Sequence, residues 1–141
     1  MTNTKITTVL GIDYGLKRIG IATGQTITGS ASPVTTLNQL NGSPDWMAIE
    51  KLIDQWKPQA LIVGMPYYLD GKENEMTKVV ETFCLELEQR FAIPIFKINE
   101  ALSSYEAEEI LKTKTKIGKH NKHEIDKMAA AIIVQNWLDQ Q

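Results

Sequence analysis

The sequence predicts an α/β fold, a five-stranded mixed sheet in the order 3-2-1-4-5 flanked by helices. Three observations predict it: three short apolar runs separated by glycine-bearing turns open the chain, two later apolar runs are each reached through a segment of helical periodicity, and a broad apolar helix closes it. The run at residues 9–13 reads as a strand buried on both faces, and residues 18–23 and 31–37 read as its hairpin neighbours. Ser43 is a plausible N-cap with Pro44 at the first helical position, and Trp46, Ile49, Ile53 and Trp56 recur at helical spacing until Pro58. Residues 60–64 form a short apolar run bounded by turn signals, a buried strand parallel to the first because a helix separates them. A loop over residues 65–74 follows.

A second helix is expected over residues 75–91, with Met76, Val80, Phe83 and Leu87 as its stripe, and residues 94–100 return as a strand. Ser103 with Glu106 three residues on fits a capping box opening a third helix, with Ala107, Ile110 and Leu111 facing inward. Residues 112–123 read as a basic, mobile connection, and the last helix begins near Glu124 with Ile125, Met128, Ala129, Ile132 and Ile133 on its apolar face and Trp137 near its end. Right-handed crossovers place the fourth and fifth strands successively beyond the first.

With 141 residues, 43% hydrophobic and 23% charged, the chain fits one domain over residues 1–141. No apolar stretch approaches the roughly 18 residues needed to span a bilayer, and the polar start lacks a signal-peptide apolar region, so a cytoplasmic protein is expected. Cys84, between Phe83 and Leu85, reads as core. The net charge of -2 neither demands nor forbids a nucleic-acid partner, but its distribution is uneven: five lysines and His120 lie between Lys112 and Lys122 with no acid, while residues 100–109 carry four glutamates and no lysine or arginine.

Three acids stand out. Asp13 extends an apolar strand placed at the centre of the sheet, where an unpaired carboxylate needs a partner, a proton or a cation. Gly11 and Gly15 flank it and would let a phosphate or a second chain approach the backbone, although an Asp between glycines is also ordinary turn chemistry. Glu100 shares a strand face with Phe96 and Ile98, or has already emerged into solvent. Asp126 falls in the first turn of the last helix, where the helix dipole favours any acid, yet it shares a face with Ala129, Ala130 and Ile133 and is drawn towards the sheet. If the three converge, their repulsion calls for a divalent cation, and oxygen-only ligands suit Mg²⁺ or Mn²⁺. Such a site hydrolyses a phosphodiester by in-line displacement. Lys17 and Arg18 follow Asp13, while Lys114, Lys116, Lys119 and Lys122 precede Asp126; Lys17, Arg18, Lys119 and Lys122 are candidate nucleic-acid contacts, against the plain alternative of a solvated surface. His120 and His123, three apart, read as a solvated loop rather than a metal pair.

Four segments carry a resemblance: LGIDYGLKRIGIA at residues 10–22, IVGMP at 62–66 with Asp70 and Gly71, EALSSYEA at 100–107 and IDKMAA at 125–130. In this order, over nearly the whole chain, they resemble the YqgF family. That resemblance implies a ribonuclease-H-like fold and a nuclease of the pre-16S ribosomal RNA, a family earlier described as Holliday-junction resolvase homologues. It places Asp13, Glu100 and Asp126 at the family's acidic catalytic positions. Two departures matter. The family usually has Asp-Glu-Arg-Leu where this chain has Asn99, Glu100, Ala101 and Leu102, which removes a phosphate-binding arginine, and Tyr67 and Tyr68 stand where Leu and Asn are usual. Those tyrosines read either as base-stacking groups or as ordinary surface residues.

The leading expectation is a metal-dependent nuclease acting on a ribosomal RNA precursor, with nucleic acid and the ribosome as partners and a monomer or weak homodimer as its state. The alternatives are a resolvase of branched DNA, for which a two-fold dimer is expected, and an RNA- or transcription-complex-binding module with a weakened site, which Ala101 favours. A likeness of residues 11–15 to the phosphate loop of actin-like ATPases is set aside, because those enzymes clamp a nucleotide between two lobes.

Overall fold

The computed structural model describes residues 5–100 and 122–141. Five strands, β1 (Thr8–Tyr14), β2 (Arg18–Gln25), β3 (Ser30–Asn38), β4 (Ala60–Met65) and β5 (Ile95–Asn99), form one sheet in the order β3-β2-β1-β4-β5. β1, β2 and β3 pair antiparallel, whereas β4 runs parallel to β1 and β5 parallel to β4. The expected order and mixed character are both present. Because β1, β3, β4 and β5 run the same way, the turns after them gather at one edge of the sheet, where clefts in open α/β sheets collect function.

Helices α1 (Trp46–Trp56) and α2 (Glu75–Arg90) cover one face and α3 (Lys122–Asp139) the other. Period-2 alternation in β1 sorts its side chains accordingly: Leu10, Ile12 and Tyr14 meet α1 and α2, and Val9 packs with α3. The α1 and α2 side is filled by Ile49, Val80, Phe83, Cys84 and Leu87, so Cys84 is core as expected, and burial pushes its thiol up to about 11. The other face belongs to α3, which touches all five strands and buries Ala129, Ala130, Ala131, Ile133, Val134, Trp137 and Leu138. Its buried face is therefore turned from the expected one, since Met128 and Ile132 are only half-buried.

Small residues on β1, β2 and β4 allow that helix its close approach. A Cβ on Gly11 would run into Val134, one on Gly24 into Val134 as well, and one on Gly64 into Ile133. At Gly20 the obstacle is backbone, the carbonyl oxygen of Asp126. Gly11 thus makes room for the chain's own helix rather than for a phosphate or a second chain, and Gly15 faces the carbonyl of Arg18 within its own turn.

Two boundaries differ from expectation. The N-cap of α1 is Asp45, whose side chain accepts from the Ala48 N–H, and not Ser43. Ser43 instead closes a bridge with Leu40 across Asn41 and Gly42, both at positive φ. The last helix starts at Lys122, two residues early, which places Asp126 beyond its first turn, so the helix dipole no longer accounts for an acid there. The expected helix opening at Ser103 and most of the basic connection lie outside the described residues.

Candidate active site

Asp13 leaves the carboxyl end of β1 on the α3 side, in register with Gly20 of β2. Glu100 follows β5, its N–H donating to the Met65 carbonyl at 3.0 Å, and its carboxylate lies over Gly64, where a Cβ would come within 2.8 Å of Oε2. The missing side chain of Gly64 is what gives that carboxylate room. Asp13 and Glu100 face each other closely enough for each to act on the other, and both hold a proton more tightly than a free acid. Burial, the charge of Asp13 and the hydrogen bond to it push Glu100 up to about 10. Burial raises Asp13 to about 6, the hydrogen bond from Glu100 opposes that rise, and the charge of Asp126 adds to it. Glu100 Oε2 is buried without a hydrogen-bond partner among the described residues, an unfavourable state for a carboxyl oxygen.

Asp126 stands beside this pair on α3, and its Oδ2 accepts from Arg18 Nε at 2.6 Å. Four features of the sheet fix the start of α3. Gly20 seats the Asp126 carbonyl, Arg18 holds its side chain, Thr36 Oγ1 donates to the His123 carbonyl at 2.6 Å, and His123 Nε2 lies 3.0 Å from Asn38 Oδ1. His123 is thus helical and hydrogen-bonded, not part of a solvated loop; His120 lies outside the described residues. Asp13 and Glu100 meet directly, while Asp126 is near enough for its charge to act on Asp13 but is turned to Arg18. Among the described residues no three His, Cys, Asp or Glu groups stand close enough together to hold an ion. The donor set is nonetheless all oxygen, and with Glu100 Oε2 buried and unpartnered among the described residues it suits a hard cation.

The basic candidates divide. Lys17 is exposed in the β1–β2 turn and Lys122 at the start of α3, both at the edge that bears the acids. Arg18 is paired with Asp126, and Lys119 lies outside the described residues. The two tyrosines divide also: Tyr67 packs on the core beside α2, and only Tyr68 is exposed. The pairing of Arg18 with Asp126 had no counterpart in the sequence reading. The one available signal was the run of small residues Gly20, Ala22 and Gly24 on alternate positions of β2, which marks a face that something approaches closely.

The raised proton affinity of the two acids has a thermodynamic signature. Both acids bind a proton more tightly folded than unfolded, so their contribution to stability is greatest below about pH 4, diminishes as pH rises through about 6 for Asp13, and goes on diminishing towards about 10 for Glu100. In chelator, Glu100→Gln keeps the shape of the side chain without the titration. Its unfolding free energy relative to the unsubstituted chain is expected to rise steadily from pH 5 to pH 9 in urea titrations. A pH-independent difference would show that Glu100 is ionised in the folded protein.

Residues 7–140 match the family model described as RuvX: Holliday junction resolvase. A Legionella pneumophila protein named "Putative pre-16S rRNA nuclease" is 44% identical over 131 residues, covering 93% of this chain and 94% of the relative. A Pseudomonas fluorescens protein of the same name is 43% identical over 133 residues, covering 94% and 92%. Among solved structures, T. thermophilus RuvC in complex with Holliday junction substrate superposes with a TM-score of 0.56 at 13% identity, covering 95% of both chains. The Fowlpox virus resolvase in complex with Holliday junction DNA gives 0.58 at 10% identity, covering 95% of this chain and 98% of that one. These two share the fold, a ribonuclease-H-like one. With the match running from residue 7 to residue 140, the chain belongs to the RuvX family of nucleases.

Proposed function

We propose that this chain hydrolyses phosphodiester bonds at an end of the 16S ribosomal RNA precursor, in the cytoplasm, with Mg²⁺ or Mn²⁺ held by Asp13, Glu100 and Asp126. One observation carries the reading: a half-buried pair of acids stands at the sheet edge where β1 and β5 end, with Glu100 Oε2 buried and without a hydrogen-bond partner among the described residues. When bound, the cation supplies a nucleophilic water at neutral pH and offsets charge on the phosphate. Asp13 and Glu100 would hold the cation as carboxylates, so its binding would release protons and tighten as pH rises. Exposed Lys17 and Lys122 on the same edge meet the flanking phosphates. The substrate class is that of the relatives named above, which match this chain almost from end to end. No helix among the described residues is long and apolar enough to cross a membrane.

The family description favours a second reading, cleavage of a four-way DNA junction. A symmetric junction needs two coordinated cuts and hence a two-fold dimer, whereas trimming one RNA end needs only a monomer. The two separate in a side-by-side assay of a precursor-rRNA end and a four-way junction, each with Mn²⁺, with Mg²⁺ and with chelator. The expected result is cleavage of the RNA with either metal, none in chelator, and little of the junction. Preferential cutting of the junction would assign the second reading. RNA binding without cleavage under every condition would make the chain a binding module, as the absence of an arginine at Ala101 suggests.

A further inference from the structure

We propose that Arg18 is a latch on Asp126, a positioning residue that neutralises this acid until a divalent cation claims it and whose released guanidinium then binds a substrate phosphate. The inference rests on the metal reading above and adds what the chain does before the metal arrives. Arg18 Nε and Asp126 Oδ2 are 2.6 Å apart, and both side chains are about a fifth exposed, at 23% and 22%. The pair is thus within reach of an ion from solvent yet shielded enough for its attraction to matter.

The backbone on both sides is held. The Asp126 carbonyl is seated over Gly20, and Thr36 holds the carbonyl of His123 one turn earlier. Any change of partner is therefore a rotation of the Asp126 side chain, not a movement of α3. That rotation is what the site lacks, because no three His, Cys, Asp or Glu groups stand close enough together to hold an ion among the described residues. Asp13 is in register with Gly20, against which the Asp126 backbone sits, so a turn away from Arg18 brings the Asp126 carboxylate towards Asp13.

Charge supports the exchange. Arg18 offsets the charge of Asp126 across the 2.6 Å contact. Arrival of a divalent cation makes the guanidinium redundant there, and its planar donor fork matches a phosphate. The pairing engages only Nε among the described residues, which leaves the terminal N–H groups free to meet a further acceptor.

The test compares Arg18→Gln, which removes the charge at similar length, with Arg18→Lys, which keeps it. Calorimetric titration with Mn²⁺ is expected to show Arg18→Gln binding roughly tenfold more tightly than the unsubstituted chain, because the competing cation is gone, and Arg18→Lys binding within about twofold of it. A short single-stranded RNA is expected to bind Arg18→Gln and the unsubstituted chain equally in chelator, and Arg18→Gln several-fold more weakly with Ca²⁺. Circular dichroism establishes that both variants are folded, and Arg18→Lys carries the comparison if Arg18→Gln is not: the unsubstituted pattern in both titrations is then the supporting result. Equal or weaker Mn²⁺ binding by folded Arg18→Gln, or a loss of RNA affinity already present in chelator, would overturn the latch alone. Absence of Mn²⁺ binding by every form would overturn the metal reading and the latch together.

Discussion

Asp13→Asn is expected to lower phosphodiester cleavage by roughly 10³-fold or more while leaving RNA affinity unchanged. The substitution keeps the shape of the side chain and its place on the α3 face of β1, so neither the packing nor the flanking lysines are disturbed. What it removes is the charge that faces Glu100 and, on the proposed reading, a metal ligand at the centre of the sheet. Stability points the same way. A buried acid already pushed up to about 6 is a cost to the apo fold at neutral pH, so its removal is expected to leave the thermal midpoint in chelator unchanged or raised. Cleavage rates and RNA binding measured on the same preparation decide the matter. Undiminished cleavage would take Asp13 out of the mechanism, and lost binding would make it a substrate contact instead.

Gly20→Ala carries the second large effect, although Gly20 is no candidate ligand. An added Cβ there meets the Asp126 carbonyl oxygen and carbon, which belong to the backbone of α3 and cannot turn aside as a side-chain tip does. Either α3 lifts from β2 or β2 bends away from α3, and overpacking of this kind costs about 1–3 kcal/mol. For a chain of this size that corresponds to a fall of roughly 3–10 °C in thermal midpoint. Lifting α3 also displaces Asp126 from Asp13 and Arg18, and a displacement on the order of 1 Å at a reacting site costs about 10²-fold in rate. Gly24→Ala offers the control: its added Cβ meets side-chain atoms of Val134, Val9 and Leu138, far along the helix from Asp126. It is expected to destabilise the fold with a much smaller effect on cleavage. Equal losses of cleavage in the two variants would show that Gly20 acts only through stability.

The sheet order was legible because each step rested on a strong signal: glycine turns for the antiparallel strands, helical crossovers for the parallel ones, and handedness for their placement. The nearness of Asp13 to Glu100 was only partly legible: the alternation of the last strand put Glu100 on the face of Ile98 or in solvent, the first strand read as buried on both faces, and the structure sets both acids on the face α3 covers. The N-cap of α1 was misplaced because Ser43 and Asp45 are both cap formers within three residues of each other, and the turn through Asn41 and Gly42 that commits Ser43 to Leu40 is a tertiary choice. The ion pair of Arg18 and Asp126 joins residues 108 positions apart. Periodicity has no means of showing which basic residue meets which acid over that distance, so Arg18 read as a free phosphate contact beside Lys17. Tyr67 and Tyr68 could not be told apart from their neighbours alone; the turn after β4 sends one to the core and leaves the other exposed.

The account depends on a cation being held between β1, β5 and α3. Crystals grown with Mn²⁺, with anomalous scattering recorded at the manganese edge, locate such an ion without reference to activity. The predicted map has its strongest peak bounded by the carboxylates of Asp13 and Glu100, with Asp126 turned from Arg18 to join them. A protein that cleaves RNA under those conditions while its manganese lies away from Asp13 and Glu100 would contradict it.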